Sequence, residues 1–192
     1  MNSFPNAPLK IALFAFLLLF LAGCLISEFD EIRLTINKDG KSGTLEWTRR
    51  NVQSDESSKE KQNHDFNELL SNWKGDAYLV EKVSEGYYVK DRTLLIEKGV
   101  LVWKERMLFG DVHKIMGSDV SNDSIRIRLE RSDVVISTNG VLQKYADSTI
   151  VTWPIGPGSF TLNLRRQEFS PTSDFVALFR ESQRAARGKS KR

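Results

Sequence analysis

The chain has 192 residues, of which 28% are charged and 40% are hydrophobic, and its formal net charge at pH 7 is +3. These proportions indicate a soluble globular domain rather than a membrane-embedded one. The single cysteine excludes an intramolecular disulfide and a cysteine-rich zinc site. Because the charges nearly balance, they steer the chain toward no particular class of partner.

The first residues have the three parts of a secretory signal. These parts are a polar segment with one cation, Lys10, an apolar run from Ile11 to Leu21, and the small residues Ala22 and Gly23. The uncharged stretch stops at Glu28, short of the roughly 20 apolar residues that a spanning helix needs. The sequence therefore predicts that residues 1–23 are a cleaved export signal, with an uncleaved membrane anchor as the weaker alternative.

Leu21, Ala22, Gly23 and Cys24 resemble the lipobox of bacterial lipoproteins, and they directly follow the apolar run as in that family. The resemblance implies that the thiol of Cys24 receives a diacylglycerol, and that a dedicated signal peptidase recognises Leu21, Ala22 and Gly23 and cuts before the cysteine. Buried acyl chains retain a protein at the bilayer by about 0.8 kcal/mol per methylene, and stable anchoring takes more than one chain. The alternative is an ordinary signal peptide with a cysteine near the cut by chance.

The resemblance also predicts the compartment, which is the membrane of the bacterial cell envelope. Leu25 is not the Asp that retains many lipoproteins at the inner membrane of enteric bacteria, so the outer membrane is favoured where there are two. Cleavage would leave a mature chain of 169 residues, the length of one domain. We expect residues 24–28 to be a tether, residues 29–187 to be a single β-rich domain, and residues 188–192 to be a basic tail.

The first half of the domain predicts two hairpins and a helix. Apolar alternation in Ile32–Ile36 and Leu45–Trp47 predicts strands that the turn at Asp39-Gly40 joins. The polar stretch 51–62 predicts a surface loop or mobile segment, and near its end a helix begins around Ser57 and ends at Gly75.

Aromatic and β-branched residues predict strands at 78–83 and 87–96. Lys98-Gly99 turns the second of these strands into a strand from Val100, and residues 111–116 predict a helical turn.

The second half predicts more strands and a last helix. Residues 125–129 alternate cleanly, and Asn139-Gly140 predicts a hairpin between residues 134–136 and 141–142. Residues 149–153 and 160–164 are expected to pair through a proline-rich loop that cannot be helical. A helix follows Pro171 and ends at Gly188, and its predicted apolar face carries Phe175, Leu178, Phe179, Ala185 and Ala186. The fold class is therefore predicted as α+β, an antiparallel β-rich sheet or open barrel with one inserted helix and a C-terminal helix.

The order of these elements resembles the outline of LppM-like bacterial lipoproteins. The resemblance lies in a lipidated cysteine followed by a strand, an Asp-Gly turn and a returning strand, with Trp153-Pro154 near the last predicted hairpin. It implies a β-rich fold that handles lipids or glycolipids. The chain departs from that family because no apolar segment follows the domain, and no binding residues can be transferred.

The sequence contains no recognisable catalytic or metal-binding motif. His64 and His113 stand beside Asp65 and Asp111, but their spacing matches no known metal site, so we predict no metal and no cofactor. Residues 156–158 are Gly-Pro-Gly after a strand, but no helix follows to present free amides to a phosphate. No serine has a G-x-S-x-G context, although carboxylates distant in sequence can still converge for acid and base catalysis.

The C-terminal end is strongly basic. It contains Arg180, Arg184, Arg187, Lys189, Lys191 and Arg192 against one carboxylate, Glu181. Such a run predicts contact with an anionic surface, such as lipid head groups or an acidic partner, and nucleic acid is not expected for an exported protein. The alternative is the solvated end of a helix.

These features favour a membrane-anchored, non-enzymatic lipoprotein that acts as an interaction or envelope-assembly module. The alternative is a lipid-binding carrier with an apolar cavity of roughly 300 Å³ or more between sheet and helices. An enzyme with dispersed carboxylates comes third, and clustered carboxylates with shifted pKa values in a cleft would favour it.

Overall fold

Antiparallel strands are the predominant elements of the domain. The computed structural model describes residues 25–115, 118–121, 123–170 and 173–189. Within these residues the strands are β1 (Leu25–Ile26), β2 (Phe29–Ile36), β3 (Gly43–Arg50), β4 (Gln53–Ser54), β5 (Tyr87–Glu97), β6 (Val100–Phe109), β7 (Ser118–Val120), β8 (Ser124–Glu130), β9 (Asp133–Thr138), β10 (Val141–Lys144), β11 (Ser148–Pro154) and β12 (Gly158–Arg166). The helices are α1 (Lys59–Lys74), α2 (Asp76–Ser84) and α3 (Phe175–Lys189), with one 3-10 turn at Val112–Lys114.

The strands form three open antiparallel sheets. The largest has the order β5-β6-β3-β2-β12-β9, a four-stranded sheet has the order β10-β11-β8-β7, and β1 pairs with β4 alone. The predicted α+β class is confirmed, and of its two forms the described residues build the open antiparallel sheets rather than a barrel.

One face of the six-stranded sheet, here called the inner face, carries two hydrophobic cores side by side. Alternation along β6 directs Leu101, Trp103, Glu105, Met107 and Phe109 to this face, where all five are buried. Met107 and Phe109 join the sandwich core between the two larger sheets. Leu101 and Trp103 join the helical core beneath the helices. The opposite surface of this sheet is here called the outer face.

Each core has its own set of buried side chains. The sandwich core contains Leu34, Ile36, Leu45, Tyr87, Met107, Phe109, Val112, Ile115, Ile125, Leu129, Val151, Trp153, Leu162 and Leu164. The helical core contains Val52, Phe66, Leu69, Leu94, Leu101, Trp103, Phe175 and Phe179.

The two predicted hairpins of the first half are confirmed. β2 pairs with β3, and the Asp39 carboxylate accepts hydrogen bonds from the backbone N–H groups of Lys41 and Ser42 at 2.9 and 3.0 Å in the turn. β5 pairs with β6 through Lys98 and Gly99, whose φ angles of 52° and 85° match a tight hairpin turn. Local turn chemistry is therefore sufficient to set both hairpins.

Two predicted pairings in the second half are wrong. β9 pairs with β12 in the six-stranded sheet, whereas β10 pairs with β11 in the four-stranded sheet, so Asn139 and Gly140 connect the two sheets. A Cβ at Gly140 would lie 2.6 Å from Trp153 Nε1, so glycine is needed here for close approach rather than for a hairpin turn. β11 and β12 likewise belong to different sheets, because the proline-rich loop carries the chain from one to the other.

The strand predicted at residues 78–83 is instead helix α2. Its β-branched residues do not face the core: Val80 and Val83 are 69% and 59% exposed, whereas Lys82 is only 7% exposed. A spacing of four residues puts Tyr78 and Lys82 on the same helical face, and tertiary packing overrides the strand propensity. The helix predicted before it is confirmed as α1, capped by Ser58, whose hydroxyl accepts from the Lys61 N–H at 3.3 Å.

The segment predicted as a surface loop after residue 51 is partly interior. Val52 and Ser54 are fully buried and Gln53 is 6% exposed, because β4 pairs with β1 and borders the helical core. The helical turn predicted at 111–116 is the 3-10 turn, and Met116 lies outside the described residues.

Candidate functional site

The first described residues, 25–27, already belong to the folded domain. Leu25 pairs with Ser54 and Ile26 with Gln53, and Ile26 and Ser27 are 7% and 1% exposed. Residues 25–27 of the predicted tether, residues 24–28, are therefore fixed to the domain by a strand partner and by burial. The predicted lipidation residue, Cys24, and the peptidase recognition residues 21–23 lie outside the described residues.

Arg49 holds this first strand against the six-stranded sheet. Its Nη2 donates a hydrogen bond to the Leu25 carbonyl at 3.0 Å, and its Nε lies 3.7 Å from Asp30 Oδ1. The guanidinium also stacks 5.4 Å above the Trp47 ring. Burial lowers the pKa of Arg49, an effect that the charge of Asp30 opposes. Arg49 therefore links the beginning of the chain to the large sheet by a charge-assisted contact.

Asp30, the partner of Arg49, also accepts two hydrogen bonds. Its carboxylate accepts hydrogen bonds from Ser27 Oγ and from Trp47 Nε1, both at 2.9 Å. The first strand is thus fixed by side chains of β2 and β3 as well as by its pairing with β4.

The start of α3 meets the first strand through Gln53. The Gln53 Oε1 accepts hydrogen bonds from Ser173 Oγ at 3.0 Å and from the Phe175 N–H at 3.5 Å. The Ser54 N–H in turn donates to Ser173 Oγ at 3.1 Å. Because Gln53 pairs with Ile26, the beginning of α3 lies one strand away from the beginning of the described chain.

Helix α3 has one buried side and a basic exposed side. Phe175 and Phe179 are 0% and 1% exposed, and their rings contact Phe66 at 5.3 Å and Trp73 at 5.6 Å. Asp174 caps the helix by accepting from the Ala177 N–H at 2.9 Å, as expected near the positive end of the dipole.

The end of α3 differs from its prediction in two respects. Ala185 and Ala186, expected on the apolar face, are exposed, because α3 extends past the helical core. The helix continues to Lys189 rather than ending at Gly188.

The predicted anionic-surface residues are brought together on this helix as far as it is described. Arg180, Arg184 and Arg187, with Gln183, border a shallow depression of about 140 Å³. All three arginines are exposed, and none has an ion-pair partner within the described part of the chain. Lys189 is the last residue of α3, whereas Lys191 and Arg192 lie outside the described residues.

The outer face of the six-stranded sheet is polar. Glu31, Arg33, Glu46, Thr48, Thr161 and Asn163 line a depression of about 390 Å³. Beside it Arg50 contacts Glu31 at 2.6 Å and Glu97 at 2.9 Å, and Lys104 contacts Glu97 at 2.7 Å. Hydrogen bonds from Lys104 and Arg50 lower the pKa of Glu97 to about 2. This face is therefore a charged surface with both signs interspersed.

A carboxylate, Glu105, lies between the two cores and was missed in the sequence. It is 5% exposed, and its Oε2 accepts hydrogen bonds from Tyr78 Oη at 2.8 Å and Trp103 Nε1 at 3.4 Å. Its Oε1 is buried with no hydrogen-bond partner among the described residues. Burial raises the pKa of Glu105, and these hydrogen bonds oppose that effect. The sequence does contain a sign of this site, because Glu105 is the one charged residue among those that alternate along β6 toward the inner face.

The cations near Glu105 are held by other groups. The Lys82 ammonium and the Arg92 guanidinium lie 5.3 and 5.8 Å from the centre of the Tyr78 ring. Lys82 contacts Glu85 at 2.7 Å, and Arg92 donates to the Asn72 carbonyl at 2.6 Å. Glu105 is thus a buried polar residue at the boundary between the two cores, where α2 meets the six-stranded sheet.

The two histidines lie apart from one another. His64 is on α1 with its side chain 70% exposed, 3.8 Å from the buried Asp65, and His113 is exposed in the 3-10 turn. Asp111 caps that turn by accepting from the His113 N–H at 3.0 Å. Within the described residues, no three side chains of His, Cys, Asp or Glu are grouped as metal ligands would be.

In the described part of the chain, none of the helices combines the length and the apolar character needed to cross a bilayer. Comparison of the chain with protein-family models, with curated proteins and with solved structures gave no match. The resemblances to the bacterial lipobox and to LppM-like lipoproteins therefore stay predictions.

Proposed function

We propose that the chain is an exported bacterial lipoprotein, anchored in the cell envelope by acyl chains on Cys24, with a non-enzymatic domain that serves interaction or assembly. The observation that carries the proposal is the motif from Leu21 to Cys24 after an apolar run, followed at once by a strand of the folded domain. The domain thus begins where the signal motif ends.

This arrangement has a consequence for how the domain is held. Because a residue spans at most about 3.6 Å of extended chain, the lipidated residue lies within about 4 Å of the first strand. Arg49 and Gln53 fix that strand to the sheet and to α3. We therefore expect the helical end of the domain to rest directly on the bilayer rather than on a flexible stalk.

The test compares the full chain with Cys24→Ser and with Lys41→Ala, a control in an exposed turn. Bacteria expressing each form are supplied with radiolabelled palmitate, and the membranes are separated from the soluble fraction. We expect the parent and Lys41→Ala to be membrane-bound, labelled and trimmed before residue 24, and Cys24→Ser to lose both label and trimming. A Cys24→Ser variant that is trimmed and membrane-bound like the parent would contradict the proposal.

A lipid-binding carrier is the second candidate, and one surface favours it. A groove of about 280 Å³ lies between α1 and α3, and apolar side chains of Phe66, Leu70, Leu178 and Ala185 contribute to its lining. Its volume is close to the lower limit for ligand pockets of roughly 300 Å³. Mass spectrometry of lipids that co-purify with the parent and with Leu70→Asp tests this candidate. Loss of a bound lipid in the variant supports it, and the absence of lipid from the parent contradicts it.

A further inference from the structure

We propose that three arginines of α3 bind the anionic phospholipid head groups of the membrane that holds Cys24, and that this contact sets the orientation of the domain. The three residues, Arg180, Arg184 and Arg187, are called the arginine stripe. The inference rests on the proposed function, since it takes the lipid anchor as given.

The spacing of the stripe puts its charges on one side of the helix. Residues four and seven positions apart lie on the same face of an α-helix, and seven residues span about 10 Å along its axis. All three side chains are exposed, and they border the same depression as Gln183. The one carboxylate of α3, Glu181, borders the groove toward α1 instead. The stripe therefore presents three positive charges that have no ion-pair partner among the described residues.

The stripe points away from the sheet. Phe175 is fully buried in the helical core, and Arg184 follows it by nine residues, which is about two and a half turns. Arg184 therefore lies on the opposite side of α3 from the aromatic ring that packs on the inner face. A membrane in contact with the stripe would leave the outer face, with Arg33 and Thr93, turned away from the bilayer.

The stripe is also close to the predicted anchor. Gln53 bonds to both Ser173 and the Phe175 N–H, and it pairs with Ile26 of the first strand. Arg180 follows Phe175 by five residues, a rise of about 7.5 Å. The near end of the stripe is therefore about one and a half turns of α3 from the contact that joins the helix to the first strand. The anchor also makes this contact intramolecular, which raises its effective concentration.

Guanidinium groups suit phosphate chemically. Their planar fork donates paired hydrogen bonds to phosphate oxygens, and arginine is always charged. Each basic residue near an anionic surface is worth about a fivefold change in affinity, so three give about a hundredfold. An acidic protein offers carboxylates to the same fork, but it gains nothing from the position of the stripe beside the anchor.

The experiment uses the processed lipoprotein, because acylated Cys24 leaves an introduced cysteine as the only free thiol. A fluorophore is attached at Gln183→Cys beside the stripe, or at Thr93→Cys on the outer face as the control position. The protein is reconstituted in phosphatidylcholine vesicles with or without 30% phosphatidylglycerol, and a quencher is placed in the head-group layer. We expect strong quenching at residue 183 only with phosphatidylglycerol, reversal by 0.5 M salt, and little quenching at residue 93 in either vesicle.

A charge variant makes the test specific to the stripe. Replacing Arg180, Arg184 and Arg187 by Gln should abolish the effect of phosphatidylglycerol on quenching at residue 183. Replacing Arg126, Arg128 and Arg131 by Gln, an equal loss of exposed charge around β8, should leave it unchanged. Circular dichroism checks that both variants remain folded.

The possible failures are distinguishable. Protein that does not float together with either kind of vesicle in a density gradient overturns the proposed function, and this inference falls with it. Protein that floats, but whose quenching at residue 183 is the same with and without phosphatidylglycerol, overturns the stripe alone. A response to polyglutamate in place of phosphatidylglycerol also overturns it, in favour of an acidic protein partner.

Discussion

The sandwich core and the helical core share one face of one sheet but are built in different ways. The sandwich core is closed by a second sheet, and its connections depend on close backbone approach, as where Gly140 meets the Trp153 ring. The helical core is closed by aromatic side chains of α1 and α3, and it borders β1 and β4. The difference teaches that the two ends have different roles: both stabilise the domain, and the helical end also positions residues 25–28, which directly follow the motif from Leu21 to Cys24.

The largest effect is expected where the helical core depends on one ring. Phe175→Ala removes a fully buried side chain that contacts Phe66 at 5.3 Å, and Phe→Ala changes in cores cost about 3–5 kcal/mol. We expect the free energy of unfolding in urea to fall by that amount. The half-buried Val176 serves as a matched control, and Val176→Ala should cost clearly less. Equal losses in the two variants would contradict the central place of Phe175 in the helical core.

A single methyl group should disturb the sandwich end. Gly140→Ala puts a Cβ 2.6 Å from Trp153 Nε1 and 2.9 Å from Val151 Cγ1, and overpacking of this kind costs about 1–3 kcal/mol. The matched change is Gly110→Ala, because a Cβ there meets nothing within 4 Å. Thermal unfolding should show a lower melting temperature for the first variant alone. A neutral Gly140→Ala would mean that the two sheets do not approach as closely as described.

Arg49 links the first strand, β1, to the six-stranded sheet. Arg49→Gln removes the contact with Asp30 and the hydrogen bond to the Leu25 carbonyl, which together are worth about 1–2 kcal/mol after allowance for partial exposure. Hydrogen exchange should become faster in residues 25–28, while the sandwich core stays protected. Unchanged exchange in residues 25–28 would show that the β1–β4 pairing holds the strand without Arg49.

The smallest effect is expected for Glu105, the buried carboxylate between the two cores, and it depends on pH. The pKa of Glu105 is raised in the folded state, so the protonated form is favoured there and its contribution to stability is lost as pH rises through the raised value. Glu105→Gln keeps an acceptor for Tyr78 without a titrating carboxyl. The stability of this variant relative to the parent should therefore increase from pH 4 to pH 8. A difference that is constant or shrinks with pH would be against this assignment.

Elements set by neighbouring residues could be predicted from the sequence. The hairpins at Asp39 and at Lys98-Gly99 follow from turn chemistry, and α1 follows from its cap and apolar period. Pairings set by distant residues could not be predicted. Asn139-Gly140 has a hairpin signature, yet the Asn139 side chain bonds to Trp153 Nε1 at 3.0 Å and to the Thr161 N–H at 2.9 Å, across both sheets.

The residues of the candidate site also differ in whether neighbouring or distant parts of the sequence place them. The arginine stripe could be predicted, because spacing on one helix is local information. The roles of Arg49 and Glu105 could not, because they arise only when the strands align Arg49 with Asp30 and bring Tyr78 over Glu105. The strand propensity of residues 78–83 gave the wrong element because burial of Lys82 and Tyr78 depends on the sheet beneath them.

The lipid anchor on Cys24 is tested most simply by the intact mass of the protein extracted from bacterial membranes. We predict a chain that begins at residue 24 and carries the added mass of acyl chains on that residue, with the fold starting at the next one. A protein that retains its first 23 residues, starts elsewhere, or has an unmodified Cys24 would contradict the proposed lipid anchor.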